Sequence, residues 1–267
     1  MKVIRILFAF LLLYAFSVQA QSLKKMNNTA FIRGERLTFR AYYDSFVTGK
    51  VTAGIATLDV KFENKKINGR PTFHIIGEGR SKGAFNFFFK VNDKFESYID
   101  EEFLVPWQFT RKTREGDFKK DDEVNFDQMK GVAKSSTATK KIPVGTHDIL
   151  SAFYYARNLD FSRVKPGDKF PVHFFLDDST YVSAFEFLGK EEIEVEMGRF
   201  RCLKFKPMLA TGNVFKEPYA MELWVTDDKN HLPILAKSEV IVGSVKLELT
   251  EYKGLANPVS SYLGSTE

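Results

Sequence analysis

The sequence predicts a mainly β fold, an antiparallel meander forming two β lobes, barrel- or sandwich-like, with one docked α-helix near residues 147–158. Three observations predict it. Short runs with apolar side chains at every second position follow one another along most of the chain. Turn residues such as Asn68-Gly69 and Lys130-Gly131 separate them closely, which argues for antiparallel pairing throughout. Only Thr146 to Phe161, THDILSAFYYARNLDF, carries apolar residues at clear helical spacing.

Taken in order, the chain begins with Lys2 and Arg5, then an almost unbroken apolar run from Ile6 to Val18. Val18-Gln19-Ala20 supplies the small residues of a cleavage site, so residues 1–20 read as a secretory signal peptide. The run is shorter than the roughly 20 apolar residues a membrane crossing needs. No Cys stands directly after it, which disfavours a lipoprotein anchor, and no second long apolar run follows. The expectation is a chain secreted across the inner membrane, periplasmic or envelope-associated, with no transmembrane span after cleavage. Residues 21–29 are polar and expected to be flexible; 30–258 form one β domain.

Within that domain Leu37, Phe39 and Ala41 share one side of a first strand, Thr48-Gly49 turns, and Val51 to Phe62 returns. Asn68-Gly69 predicts a type I′ hairpin, because both central residues need φ > 0. Thr72 to Arg80 follows. Gly83 to Val91 then breaks the alternation with Phe85, Phe87, Phe88 and Phe89, which fit a short helical turn, a bulge or an aromatic lip. As a lip they would form the mouth of an apolar cavity, and these four are the candidate ligand-binding residues. Lys94 to Asp100, Val105 to Arg114, Glu123 to Gln128 and Val132 to Ile142 are further strands; Ser135 to Lys141, polar on both faces, reads as a lysine-blunted edge.

In the helix, Ile149, Leu150, Phe153 and Tyr154 form one apolar stripe, Asp148 or Thr146 caps the start, and Asn158 stops it. Arg157 suits the C-terminal end of the helix dipole. About three turns are marginal alone in water, so the helix should dock through its Phe/Tyr face. Beyond it, Phe170 to Leu176, Val182 to Lys190 and a hairpin turning at Met197-Gly198 lead to Tyr219 to Thr226, Pro233 to Val242 and Val245 to Tyr252, the last two joined at Gly243-Ser244. The tail 259–267 is expected to be flexible.

Several function classes find no support. The net charge of +5 falls to +3 once the two cations of the leader are gone, and the rest are spread among acids, unlike a nucleic-acid groove. The single thiol, Cys202, excludes an internal disulfide and reads as a small buried residue. His74, His147, His173 and His231 lie far apart in sequence, so neither metal nor cofactor is expected; His147 reads as a cap neighbour and His231 as a solvated turn residue. Asp121-Asp122, Asp177-Asp178 and Asp227-Asp228 are adjacent pairs that face opposite ways in a strand, which suits turns better than glycoside cleavage. Ser151 lacks a nucleophile-elbow setting.

Phe200-Arg201-Cys202-Leu203-Lys204-Phe205 after a Gly turn, Leu223 to Asp228 with His231-Leu232-Pro233, Gly243-Ser244-Val245 leading to Leu249-Thr250, and the helix from Asp148 to Tyr155 resemble the DUF3108 family of exported bacterial proteins. The resemblance spans most of the mature chain. It implies an exported β-rich domain of uncharacterised function and carries no catalytic residues with it. Export, antiparallel sheet and 27 Phe favour non-enzymatic binding of an apolar or amphipathic ligand such as a lipid. The alternatives are an interaction or scaffold protein with an envelope partner, and a cell-wall glycan or peptide hydrolase using Asp177, Asp227 and His231.

Overall fold

The computed structural model of the protein describes residues 23–45, 49–83, 85–208, 221–239 and 244–265. The leader, Thr48, Tyr219 and Gly243 lie outside them. The elements are β1 (Arg36–Ser45), β2 (Gly49–Val60), β3 (Lys66–Ile67), β4 (Arg70–Ser81), α1 (Phe85–Phe88), β5 (Asn92–Asp100), β6 (Pro106–Glu115), β7 (Phe118–Asp127), β8 (Val132–Lys134) and β9 (Thr139–Lys141). Then come α2 (Ile149–Ala156), β10 (Lys169–Leu176), β11 (Ser179–Val195), β12 (Gly198–Met208), β13 (Met221–Thr226), β14 (Pro233–Glu239), β15 (Ser244–Lys253) and β16 (Tyr262–Gly264).

The two expected lobes are the halves of one sheet. Its strands lie in the order β10-β11-β12-β13-β14-β15-β1-β2-β4-β5-β6-β7-β8-β9, with β3 added to β4 and β16 to β12. The seam is β1, where Phe39 faces Ala56 of β2 on one side and Leu249 of β15 on the other. Hydrogen bonding does not join β9 to β10, so the sheet is not closed into a barrel. It curls nonetheless: Phe175 of β10 packs edge-on to Phe126 of β7, 6.0 Å between ring centres. The connector before α2 spans the gap at one residue. His147 N donates to His173 O and Phe175 N donates to His147 O, each at 2.8 Å, a single parallel bridge.

Turn chemistry explains the local punctuation. Asn68 and Gly69 take φ of 52° and 78°, as a type I′ hairpin requires. Asp177 and Asp178 take φ of 49° and 58° at the β10–β11 tip, a region where short polar side chains are tolerated. There Asp177 pairs with Arg111 and Lys120, and Asp178 accepts from Ser135 Oγ at 2.5 Å, fastening the tip across the curl.

The core follows the predicted alternation. Leu37 and Phe39 pack with Phe200, Trp224 and Leu249, and with Cys202, whose thiol burial pushes up to about 12. Thr139, Lys140 and Lys141 of β9 are exposed at the sheet's edge. The tail differs from expectation: β16 pairs with β12, Phe200 opposite Tyr262, and Ser261 Oγ donates to Asp228 at 2.7 Å. Residues 23–29 are likewise tied, Met26 N donating to Glu102 O at 2.9 Å and Thr29 N to Asn158 Oδ1 at 2.8 Å. Both polar segments satisfy backbone groups of distant elements, which side-chain hydropathy does not register. Among the described residues no helix is long and apolar enough to cross a membrane.

Candidate functional site

Helix α2 is held at both ends. Asp148 Oδ1 accepts from Ser151 N at 2.8 Å while Ser151 Oγ accepts from Asp148 N at 2.9 Å, a reciprocal capping box, and Ser97 Oγ donates to Asp148 Oδ2 at 2.6 Å. Asp148 is wholly buried, and that burial, only partly offset by these bonds, raises its carboxyl to about 6.

The apolar stripe of α2 divides between two duties. Leu150 and Tyr154 enter the core with Phe31, Ile75 and Ile99. Ile149, Ala152, Phe153 and Ala156 instead face β10–β13 across a cavity of about 330 Å³. Two turns of helix are too narrow to cover four strands, so space remains beside it. Period-two alternation brings Val172, Phe174 and Leu176 of β10 to one wall; Phe185, Phe205, Leu223 and Val225 continue it across β11, β12 and β13. The rings of Phe161, Phe170, Phe185 and Phe205 contact one another with centroids 4.9–6.4 Å apart, so this wall is built from interlocked aromatics.

Among the described residues three polar side chains reach the lining: Arg157, Ser183 and His231. Every nitrogen of Arg157 donates: Nη1 and Nη2 to Glu35 Oε1 and Oε2 at 2.6 and 2.8 Å, Nη2 also to Ala30 O, and Nε to Asn230 O. Both partners are almost completely buried. His231 Nδ1 lies 2.7 Å from Arg157 O, and its ring meets Phe161 edge-on at 5.0 Å. Burial lowers its pKa, so the neutral ring prevails. The cavity is therefore apolar, with a neutralised cation and a neutral imidazole at one end. His231 is a lining residue of this site and not a solvated turn.

The four phenylalanines singled out in the sequence lie elsewhere. They form the single turn α1 and the residue after it, Phe89 N donating to Phe85 O at 2.9 Å. The rings of Phe85 and Phe89 meet edge-on at 6.5 Å; Phe87 is 88% exposed and Phe89 45%. Phe85, Phe87 and Phe89 do not line the cavity, and the Phe88 side chain is outside the described part of the chain. The hydrolase candidates do not converge. The tip bearing Asp177 lies beyond Met208 of β12, whereas Asp227 and His231 follow Thr226, which faces Cys202. Asp228 accepts from Thr226 Oγ1, Asn230 N and Ser261 Oγ, so that carboxylate organises its own turn. No cluster of metal-ligating side chains occurs among the described residues.

What the fold and cavity define is a class: a curled, open antiparallel sheet that docks one helix and leaves an apolar chamber beside it. The chain belongs to the DUF3108 family, described as a protein of unknown function, whose family model matches residues 38–250. No curated protein matches it. Among solved structures it is similar to a β-barrel-like protein of the DUF1849 domain from Brucella abortus, at 10% identity and TM-score 0.53, covering 84% of this chain and 99% of that one. A provisionally described exported protein with YmcC-like fold from Bacteroides fragilis matches at 12% identity and TM-score 0.38, covering 85% and 99%. A provisionally described lipoprotein from Parabacteroides distasonis matches at 12% and 0.39, covering 86% and 100%. The first likeness speaks to fold alone.

Proposed function

We propose that this is an exported envelope protein that holds an apolar or amphipathic ligand, such as a lipid, in the cavity between α2 and β10–β13. The observation that carries the reading is the chamber itself: about 330 Å³, walled by Phe153, Phe174, Phe185 and Phe205, with its one cation neutralised by Glu35. Ligand pockets fall in the range of roughly 300–1,000 Å³ and are mostly apolar with a few placed polar groups. Export rests on Lys2, Arg5, the run Ile6 to Val18 and the Val18-Gln19-Ala20 exit.

Organic extraction of the purified protein, followed by mass spectrometry, tests this. A stoichiometric lipid is expected, and Ala152→Phe, which fills the chamber from α2, should abolish its retention while leaving the fold intact. A protein that carries no lipid and takes up no apolar probe ends the proposal.

A second reading has one observation of its own. Phe87 and Phe89 form an exposed aromatic contact for an envelope partner. Site-specific photocrosslinking from position 87 in intact cells should capture one reproducible protein; a blank there, with robust crosslinks from control positions, removes this reading.

A further inference from the structure

We infer that the cavity selects an uncharged amphiphile whose head group carries a hydrogen-bond donor, a hydroxyl above all, and that His231 Nε2 is the acceptor that reads it. The inference rests on the proposed cavity and adds the chemistry of its head-group end.

The argument begins with a tautomer. His231 Nδ1 sits 2.7 Å from the backbone oxygen of Arg157. A carbonyl oxygen only accepts, so Nδ1 carries the proton. Burial disfavours a second proton on the ring. Nε2 therefore presents a lone pair, and no described residue donates to it. In a chamber whose lining is apolar apart from His231, Arg157 and Ser183, each of the last two already engaged, that atom asks for an O–H or N–H.

Charge narrows the choice. A carboxylate head group would need a donor or an uncompensated cation. Arg157 offers no uncompensated cation, since Glu35 balances its charge, and four of its five N–H groups are already taken by Glu35, Ala30 and Asn230. A carboxylate would instead meet the Nε2 lone pair and lose its hydration without recompense. An ammonium group would enter a chamber with no available carboxylate, since both Glu35 oxygens face Arg157. A hydroxyl loses little on entry and regains a hydrogen bond at Nε2. The backbone fixes the imidazole further: His231 takes φ of 43°, so the ring leaves a left-handed residue whose orientation the chain path sets.

The test uses the mature chain and displacement of phenylnaphthylamine by three probes with the same tail: dodecanol, dodecyl methyl ether and dodecanoate. Dodecanol should displace about three- to tenfold better than the ether, the worth of one net hydrogen bond, with dodecanoate weakest at neutral pH. His231→Asn suits the positive φ, keeps an amide donor for Arg157 O and removes the Nε2 acceptor. It should bring dodecanol down to the level of the ether and leave the ether unchanged. His231→Gln, which restores an amide oxygen near the Nε2 position, should recover part of the preference. Equal binding of alcohol and ether by the native protein, or an unaltered preference in His231→Asn, overturns the inference and leaves the cavity proposal standing. Failure of every probe, phenylnaphthylamine included, overturns both.

Discussion

Glu35 and Arg157, 122 residues apart in the chain, meet as a two-pronged ion pair with N–O distances of 2.6 and 2.8 Å and almost no exposure to water. The pair ties the approach to β1 to the end of α2, and Arg157 Nε extends the tie to Asn230, next to the cavity's His231. The end of the cavity is thus positioned by residues from both halves of the sheet.

Removing either partner leaves the other charge buried alone. Glu35→Gln and Arg157→Met should each cost about 3–5 kcal/mol of stability, whereas the apolar double replacement Glu35→Leu with Arg157→Met should cost much less than the sum. Urea unfolding of the four proteins measures the coupling. Strict additivity would show that the two side chains act independently.

Asp148 makes stability depend on pH. Its folded carboxyl titrates near about 6, above the roughly 3.9 of an unfolded Asp. The folded form holds its proton more tightly, so the contribution of this group is complete below about pH 4 and is lost as pH rises through about 6. The expected loss is on the order of 1–3 kcal/mol. Asp148→Asn keeps an acceptor for Ser151 N and removes the titration. The difference in urea midpoints between native and variant should therefore change across that window and be flat outside it; parallel profiles would contradict the assignment.

Asp177 fastens the β10–β11 tip to Arg111 of β6 and Lys120 of β7. Asp177→Asn fits the same positive φ and removes the charge, so the fold should survive with a loss of about 1 kcal/mol. Amide exchange should quicken at the N–H groups of His147 and Phe175, which make the His147–Phe174 bridge, and along β10, with the β1–β15 seam unchanged. Unaltered exchange at the bridge would show that the curl is held without this clasp.

Much of the fold was legible locally. A helix cap at Asp148 or Thr146, the type I′ turn at Asn68-Gly69 and the lysine-blunted edge at Lys140-Lys141 rest on neighbours within a few residues, where spacing carries the information; the structure chose Asp148 and added Ser151 as its reciprocal partner. The site was less legible. Four phenylalanines crowded into Phe85 to Phe89 stand out because they are close along the chain, yet the cavity takes Phe153, Phe174, Phe185 and Phe205, one each from α2, β10, β11 and β12, with Phe161 from the connector between α2 and β10. Arg157 read as a dipole partner and His231 as a turn residue because their partners, Glu35 and the Arg157 carbonyl, are remote in sequence.

The amino-acid sequence alone determined strand and helix periodicity, turn types, the absence of a disulfide and the family resemblance, since each depends on residues close along the chain. Tertiary structure alone decided that two meanders share β1 as a seam, that the sheet curls without closing, and which face of α2 borders a chamber. Those outcomes depend on contacts such as Phe39 with Leu249 and Arg157 with Glu35, across more than a hundred residues, where no local pattern records which surfaces will meet.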